Sequence, residues 1–489
     1  MADAGTKQAK DRSRRRRARQ DSARTAREPA AAKAVRPAWT GPAPIELPTV
    51  NSITARAGRQ RLVLFVAITL VVFGVVMVGS ASSGELLIKG QPQWGLLIKQ
   101  GLFGMIGLTL MWFAMRVPLE LVRRLAMPVV WASVALIAIT MVPGLGHQVN
   151  GASRWINFGF FQLQPSEPLK IGVLAMLADH LSRIQPPLHW MRDLVRSPGG
   201  VALGLAGAVV ALQKDLGSGL VLGSTTLVLY MLAGTRWSVL WRTIGPGVAL
   251  VVLSILTEEY RRERFLAFLD PWAHPQAGGY QLVQALIAIG SGGPFGVGLG
   301  HSVQKITFLP EAHTDMIFAI IVEELGVFGV IFVIGAFAVL ATVGARIAMR
   351  AKTRFSALLA AGITAMVVGQ AAINIAGVTG GMPLTGIPLP LVSYGGSSML
   401  ITLIALGLLA NIATERRSAR TFVLAPPASL SDGAHDDDTD FHDGDEPSND
   451  YLIDDEATSE HHGARSASGA GAGGGRRNGR SPRTRARGR

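Results

Sequence analysis

Residues 62–80 read LVLFVAITLVVFGVVMVGS, and this uncharged stretch decides the fold class. A helix rises about 1.5 Å per residue, so roughly 20 apolar residues cross a hydrocarbon core about 30 Å thick. In the whole chain of 489 residues, 49% are hydrophobic and only 16% are charged. Soluble proteins average about 25% charged residues. The sequence therefore predicts an all-α polytopic membrane protein rather than a large soluble core.

Outward from this stretch, the apolar pattern predicts ten transmembrane helices. They lie at 62–80, 94–115, 125–142, 168–184, 199–213, 219–234, 243–257, 315–345, 356–377 and 397–413. Arg and Lys residues follow every second span and also fill the N-terminus. Because loops rich in Arg and Lys stay in the cytoplasm, both termini are predicted to be cytoplasmic. The remaining loops then face outward, and the largest is 258–314, between helices 7 and 8.

The two ends of the chain lack apolar periodicity. Residues 1–61 are basic, and residues 414–489 hold an acidic block followed by a Gly- and Arg-rich end. Such compositions favour disordered cytoplasmic tails on either side of a transmembrane domain at 62–413. Because the basic tail adjoins a span, we expect it to face anionic membrane lipid and not nucleic acid. The chain has no cysteine, which excludes disulfide bonds and thiolate metal sites.

The outward loop 143–167 carries ionisable residues at the edge of the membrane. Arg154 lies in the motif GASRWI, and Glu167 and Lys170 lie three residues apart at the start of the fourth span. Residues at i and i+3 share a helix face, so Glu167 and Lys170 are predicted to pair. Interfacial anchoring by Trp155 and Arg154 is the alternative. Charged residues at membrane depth favour function for the set of three.

Asp315 is the sharpest candidate for catalysis, because it lies where the loop 258–314 enters the eighth span. A carboxylate near low-dielectric surroundings has a raised pKa and can accept a proton near neutral pH. It could also hold a divalent cation. Glu311 and His313 precede it and favour a polar cluster over a simple helix cap. Asp215, in an earlier outward turn, is equally open to a capping role and a site role.

Two other outward segments complete the predicted surface. The stretch 290–300 is rich in glycine and is followed by Lys305, so it could cradle an anion, although loop flexibility explains the glycines equally well. Residues 383–398 read PLTGIPLPLVSYGGSS, and the prolines exclude a regular helix. Irregular backbone at membrane depth survives only when it is buried in protein or lines a cavity, so this segment is predicted to re-enter and wall a groove. Gln370 and Asn374 either line the same interior or bond between helices.

Four motifs together resemble the SEDS family of shape, elongation, division and sporulation proteins (FtsW, RodA and SpoVE). They are GASRWI, QPSE, GLGHSVQKITFLPEAHTDMIFAIIVEELG and PLPLVSYGGSS, and the resemblance covers most of 62–413. The stretch 298–324 is closer to the division proteins than to the elongation proteins. The long charged tails are similar to those of actinobacterial division proteins.

The resemblance implies a peptidoglycan glycosyltransferase that polymerises lipid II at the outer face of the cytoplasmic membrane, at the division septum. It implies that Asp315 is the catalytic base. Asp315 is also the residue suggested to bind a divalent cation (Mg²⁺ or Mn²⁺). No organic cofactor is expected. The leaving pyrophosphate needs positive charge, for which Arg154, Lys170 and Lys305 are the candidates. The full predicted substrate-binding set is Arg154, Glu167, Lys170, Lys305, Glu311, His313, Ser393, Gly395 and Ser397.

The implied partners are lipid II, the undecaprenyl-pyrophosphate-linked glycan and a class B penicillin-binding protein that supplies the transpeptidase. Other division proteins would bind the cytoplasmic tails. Three alternatives stay open from the sequence: a lipid II flippase, a non-catalytic division scaffold, and a role in elongation rather than division. A flippase should carry polar residues through the full depth of its spans, whereas here they cluster on the outward side, with Lys99, Asp179 and His180 as exceptions.

Overall fold

The computed structural model describes residues 50–142, 146–149, 152–159, 161–184, 194–273 and 279–415. The expectations for the C-terminal tail beyond Glu415 and for residues 1–49 lie outside these ranges. Residues 50–61, expected to belong to the basic tail, are instead the first turns of a helix that begins at Val50. Once a span has formed, extending its helix fixes only one more residue per hydrogen bond, so extension is easier than nucleation.

Sixteen elements follow one another in the described chain. They are α1 (Val50–Ile88), α2 (Gly95–Ala114), α3 (Leu119–Thr140), β1 (Gly146–Val149), β2 (Ala152–Asn157), β3 (Gln162–Leu163), α4 (Ser166–Arg183), α5 (Pro198–Leu212), α6 (Leu216–Leu232), α7 (Trp237–Thr257), α8 (Glu259–Leu269), α9 (Tyr280–Gly292), α10 (Gln304–Thr307), α11 (Ile317–Met349), α12 (Arg354–Val378) and α13 (Gly396–Thr414).

Each of the ten segments predicted to span the membrane contains a helix, namely α1 to α7 and α11 to α13. Among the described residues, 7 helices are long and apolar enough to cross a membrane: α1, α2, α3, α7, α11, α12 and α13. α5 and α6 are shorter apolar helices. α4 has 18 residues and carries both Glu167 and Lys170. The chain is therefore a polytopic helical membrane protein, and the exact number of spans and the side of the termini stay predictions.

The outward loops hold regular structure that the sequence did not predict. β1, β2 and β3 form a three-stranded antiparallel sheet in which Ile156 lies opposite both Gly146 and Leu163. The loop 258–314 contains the helices α8, α9 and α10. Strands of 2 to 6 residues are too short for their alternation to stand out from the surrounding sequence.

A break at Gly326 divides α11 into two parts with different surroundings. Gly326 has φ 60° and ψ −145° inside the helix, a conformation that glycine adopts without strain. The amides of Val297 and Gly298 donate to the carbonyls of Glu323 and Glu324 at 2.9 and 3.0 Å. The glycine-rich stretch therefore packs against the broken helix, and close backbone approach explains its composition better than an anion cradle.

The re-entrant segment 379–395 lies inside the helical bundle, as the prolines indicated. It has no regular structure, yet Leu389 and Val392 are 1% and 0% exposed. α1 approaches it so closely that a Cβ at Gly74 would lie 2.6 Å from the carbonyl oxygen of Leu391. α12 and α13 flank the segment in the chain and pack against each other. The core of the bundle thus holds irregular backbone.

Replacing Gly326 by alanine is expected to destabilise the protein. The residue has φ +60°, and a Cβ there would lie 2.5 Å from both the amide of Gly296 and the carbonyl oxygen of Pro294. Residues other than glycine rarely adopt this backbone conformation, which costs an alanine about 1–3 kcal/mol. Gly335→Ala is the matched control, since a Cβ at Gly335 of the same helix meets nothing within 4 Å. The midpoint of thermal unfolding in detergent should fall for Gly326→Ala only; equal midpoints would contradict the close approach.

Candidate active site

The segments predicted to face outward converge on one cavity of about 790 Å³. Its wall combines residues of β2, the turn before α6, the helix α8, the segment 311–315, the segment 382–388 and the first turn of α13. Sequence reasoning had placed these loops on one side of the membrane. The structure brings them around a single space, with polar groups and apolar side chains in the same wall.

Asp315 lies in this wall immediately before α11 and is 9% exposed. The N-cap residue of α11 is Met316 and not Asp315, and the Met316 side chain makes no capping hydrogen bond. The capping alternative for Asp315 is therefore wrong. Burial raises the pKa of Asp315 from 3.8 to about 6, while the Arg264 guanidinium opposes the rise and the Glu311 carboxylate adds to it. At neutral pH this carboxylate is ionised and is a competent general base.

Glu311 and His313 join Asp315 in the cavity wall. The Thr314 hydroxyl oxygen lies 2.9 Å from Oε2 of Glu311 and 3.3 Å from Oδ1 of Asp315, so two carboxylates meet at one hydroxyl. His313 Nδ1 lies 3.5 Å from Oε2 of Glu85, at the end of α1. Burial lowers the pKa of His313 below its ordinary 6.5, which keeps the ring neutral near pH 7. The acidic side of the cavity thus holds two carboxylates and a neutral imidazole.

Arg154 and Arg261 place positive charge in the same cavity. Arg154 donates from Nε to the carbonyl oxygen of Gln213 at 3.1 Å and from Nη2 to that of Lys214 at 2.6 Å. Arg261 donates from Nη2 to the carbonyl oxygen of Val210 at 3.0 Å. Backbone carbonyls orient guanidinium groups without neutralising them, and guanidinium groups suit phosphate oxygens.

Arg264, like Arg261, lines the cavity but was absent from the predicted site. It donates to Oε1 of Gln281 at 2.6 Å and to the carbonyl oxygen of Leu384 at 3.4 Å. Its charge acts on Asp315. The available signal was the spacing of Arg261 and Arg264, since residues three apart share a helix face, but nothing in the sequence aimed that face at Asp315.

Lys170 forms the predicted ion pair with Glu167, at 3.0 Å between Nζ and Oε1. The two residues are 4% and 2% exposed. Nζ of Lys170 also donates to Oε1 of Gln370 at 2.9 Å. Glu167 lines the cavity, whereas Lys170 is not among the lining residues. This lysine is therefore placed to hold α4 to α12 rather than to meet a substrate anion.

Lys305 occupies a similar buried position on another side of the bundle. Its Nζ lies 2.7 Å from Oε1 of Glu324 and 3.0 Å from Oγ of Ser80. It is 4% exposed and does not belong to the cavity lining. The ion pair fixes the short α10 against α1 and α11. The structure thus places Lys305, like Lys170, away from the position that the predicted anion contact requires.

The predicted residues of the last outward segment divide in the same way. Gly395 and Ser397 line the cavity, and Oγ of Ser397 accepts from the amide of Gln164 at 3.4 Å. Ser393 does not belong to the lining; its Oγ accepts from the amide of Leu389 at 2.8 Å. Ser393 therefore closes a turn of the re-entrant segment, whereas Gly395 and Ser397 line the cavity.

Asp215 has both of the roles that the sequence left open. It caps α6 by accepting from the amide of Ser218 at 3.0 Å. It also lines the cavity and accepts from Nε2 of Gln164 at 2.9 Å. Lys214 precedes it with a φ of 54°, and this left-handed turn directs the Lys214 carbonyl to Arg154.

The donor set around Asp315 fits a partly hydrated divalent cation better than an all-protein metal site. Among the residues that the structure describes, no three His, Asp or Glu side chains come together in a way that could hold a metal. Asp315 and Glu311 nevertheless share the Thr314 hydroxyl. Mg²⁺ is commonly held by one or two carboxylates together with substrate phosphates and water. The carboxylates of Asp315 and Glu311 fit this mode of binding.

Comparison with known proteins assigns the chain to one family. Residues 60–418 match the family described as FtsW/RodA/SpoVE cell cycle proteins. The chain belongs to this family. The match covers the helical bundle except for the start of α1, and it includes every segment that lines the cavity.

Relatives of this FtsW/RodA/SpoVE protein are similar over most of their length. The probable peptidoglycan glycosyltransferase FtsW of Geobacter metallireducens is 38% identical over 73% of this chain and 95% of its own. The protein of the same name from Coxiella burnetii is 38% identical over 72% of this chain and 95% of its own.

Two solved structures share the fold. One is described as "Structural coordination of polymerization and crosslinking by a peptidoglycan synthase complex"; a chain in it is 31% identical, with a TM-score of 0.59 over 73% of this chain and 98% of that chain. The other is the rod shape determining protein RodA of Thermus thermophilus, 30% identical, with a TM-score of 0.53 over 73% of this chain and 96% of that chain.

Replacing Arg264 by glutamine should raise the pKa of Asp315 above about 6, because the variant removes the positive charge that favours the carboxylate. Infrared titration of the carboxyl stretch reports this pKa, with Asp315→Asn identifying the band. Arg183→Gln serves as the control, since Arg183 pairs with Asp179 outside the cavity lining. An unchanged or lower Asp315 pKa in Arg264→Gln would contradict the electrostatic coupling.

Proposed function

We propose that this protein is a peptidoglycan glycosyltransferase that polymerises lipid II at the outer face of the cytoplasmic membrane. The observation that carries the proposal is the buried Asp315, whose pKa of about 6 suits a base, in a cavity that also holds arginine side chains. Support comes from the relatives named probable peptidoglycan glycosyltransferase FtsW, which are 38% identical to this chain.

In the proposed reaction Asp315 acts as the general base. The 4-hydroxyl of the acceptor sugar gives its proton to the Asp315 carboxylate while its oxygen attacks the anomeric carbon of the donor. The bond between that carbon and the lipid diphosphate breaks, and the diphosphate leaves with the electron pair. One displacement inverts the anomeric centre, so a single base is sufficient and no covalent enzyme intermediate is needed.

Arg154 and Arg261 are the proposed contacts of the donor diphosphate. Both line the cavity, and their hydrogen bonds to carbonyl oxygens fix their orientation. Preoriented positive charge stabilises a leaving group as its negative charge develops. This role replaces the one that the sequence suggested for Lys170 and Lys305, whose charges are used in buried ion pairs.

The cavity wall also suits a substrate with a lipid tail. Val251 and Ile255 of α7 and Phe265 of α8 give it an apolar side. Other apolar residues of α7, such as Leu253 and Leu256, are exposed on the surface of the bundle. A prenyl chain could therefore stay in the bilayer beside α7 while its diphosphate and sugars reach the arginines and Asp315.

A class B penicillin-binding protein is the proposed partner, and the division septum is the proposed site of action. A solved neighbour belongs to a structure described as a peptidoglycan synthase complex that coordinates polymerization and crosslinking. The relatives carrying the name FtsW favour division over elongation. Other division proteins remain proposed partners of the tails.

Asp315→Asn should abolish glycan polymerisation, because the amide keeps the shape of the side chain but cannot accept the proton. Removal of a general base typically lowers the rate about 10²- to 10⁴-fold. The measurement is the gel profile of glycan strands made from lipid II by the full chain, alone and with its class B partner. Asp270→Asn, outside the cavity lining, is the matched control.

If Asp315→Asn and the wild type make equal amounts of polymer, Asp315 is not the base. Absence of polymer from the wild type in both settings would favour a transporter or a scaffold, and lipid II movement across vesicles would then separate these two.

A divalent cation held by Asp315 and Glu311 would supply further positive charge for the leaving diphosphate. We therefore expect EDTA to reduce polymer yield and Mg²⁺ or Mn²⁺ to restore it. Glu311→Gln should raise the cation concentration needed for half-maximal yield, and Glu259→Gln, outside the cavity lining, should not. Full activity in EDTA, or an unchanged requirement in Glu311→Gln, would argue against the cation site.

A further inference from the structure

The inward face of α12 carries two amide side chains that hold the re-entrant segment. Gln370 and Asn374 lie four residues apart, one turn of helix, and each is 4% exposed. Nε2 of Gln370 donates to the carbonyl oxygen of Pro388 at 3.1 Å, and Nδ2 of Asn374 donates to that of Ile387 at 2.8 Å. These carbonyls belong to consecutive residues without regular structure. The two side chains therefore satisfy acceptors that no helix or sheet would satisfy.

Asn374 makes a second bond that Gln370 does not make. Its Nδ2 also donates to the backbone carbonyl oxygen of Asp315 at 2.8 Å. Both hydrogens of one amide group are thus used, one on the cavity wall at Ile387 and one on the residue that carries the proposed base. A single buried side chain connects the two sides of the reacting region.

The Asn374 amide is bonded through its nitrogen and not through its oxygen. Its Oδ1 is buried and has no hydrogen-bond partner in the described protein. An unsatisfied buried acceptor destabilises the folded state. The orientation is nevertheless fixed, because only the nitrogen can donate to two carbonyl oxygens. The fold thus leaves Oδ1 of Asn374 unpaired while Nδ2 keeps its hydrogen bonds to the carbonyl oxygens of Asp315 and Ile387.

We infer that Asn374 is a positioning residue that holds Asp315 against the re-entrant wall at the distance that proton transfer requires. The wall lies close to the carboxylate: a Cβ at Gly386 would be 3.7 Å from Oδ2 of Asp315 and 3.7 Å from Nη1 of Arg264. Gly386 is the residue before Ile387, so the Asn374 bond fixes this approach directly. A shift of about 1 Å in a catalytic group can lower a rate about 10²-fold.

The second amide extends the same brace to α4. Oε1 of Gln370 accepts from Nζ of Lys170 at 2.9 Å, and Lys170 pairs with Glu167 at 3.0 Å. Because only an oxygen can accept from an ammonium group, this contact turns the Gln370 nitrogen to Pro388. The buried ion pair thereby supports the segment that Asn374 connects to Asp315.

The test compares Asn374→Leu with Asn411→Leu in the full chain, with polymerisation of lipid II as the assay. Asn411 is a matched control, since its Nδ2 also bridges two carbonyl oxygens, those of Ala114 and Val117, at 3.3 and 2.6 Å. Neither it nor these partners belong to the cavity lining. Asn374→Leu should lower kcat about 10- to 100-fold with KM within about threefold. Asn411→Leu should lower thermal stability similarly but leave kcat within about threefold.

If Asn374→Leu does not fold, Asn374→Ser replaces it, because a serine hydroxyl is too short and has too few donors to bridge both carbonyls. A kcat that matches that of Asn411→Leu, or a loss of activity carried entirely by KM, would overturn the positioning role. The inference rests on the proposed function, and Asp315→Asn separates the two. Normal polymerisation by Asp315→Asn defeats the assigned base, whereas an inactive Asp315→Asn beside a fully active Asn374 variant defeats only the positioning role.

Discussion

The hydrogen bonds from α12 to the irregular backbone of 379–395 are the interactions on which the site depends. Backbone polar groups inside a membrane protein must be paired, and a segment with three prolines in 383–390 cannot pair its carbonyls as a helix does. Gln370 and Asn374 supply the missing donors. Because the same asparagine bonds to the Asp315 carbonyl, the constraint that makes the fold possible also places the proposed base.

Two buried ion pairs extend this framework at a distance from the substrate. Removing a lysine and a carboxylate from water is costly, and such pairs persist when their geometry and hydrogen bonds are well satisfied. Lys170–Glu167 supports Gln370, and Lys305–Glu324 fixes α10 against α1 with the help of Ser80. The cavity wall holds other cations, among them Arg154 and Arg261, which donate to backbone carbonyl oxygens. Lys170 and Lys305 thus differ from these two arginines in their partners, since each lysine is paired with a buried carboxylate.

Much of the architecture could be predicted from the sequence. Apolar runs such as 62–80 predict helices because their length matches the bilayer, and all ten predicted segments contain one. The i,i+3 spacing of Glu167 and Lys170 predicts their pairing because helix geometry is local. The short strands of 146–163 and the start of α1 at Val50 were missed. Two- to six-residue strands give too little pattern, and a basic composition does not prevent a helix from extending.

The sequence by itself determined that the chain is a helical membrane protein and that Asp315 is the candidate base. It also predicted that ionisable residues gather in loops on one side of the membrane. Those conclusions rest on hydropathy, spacing and motif, which are properties of contiguous residues. Only the tertiary structure decided which cations reach the cavity, because burial and pairing depend on segments that are far apart in the chain. Lys170 bonds to Gln370, which lies 200 residues further along the sequence. The charge of Arg264 acts on Asp315. The tertiary structure also decided the role of Asn374, since one amide joins carbonyls that are brought together only when α11, α12 and the re-entrant segment pack.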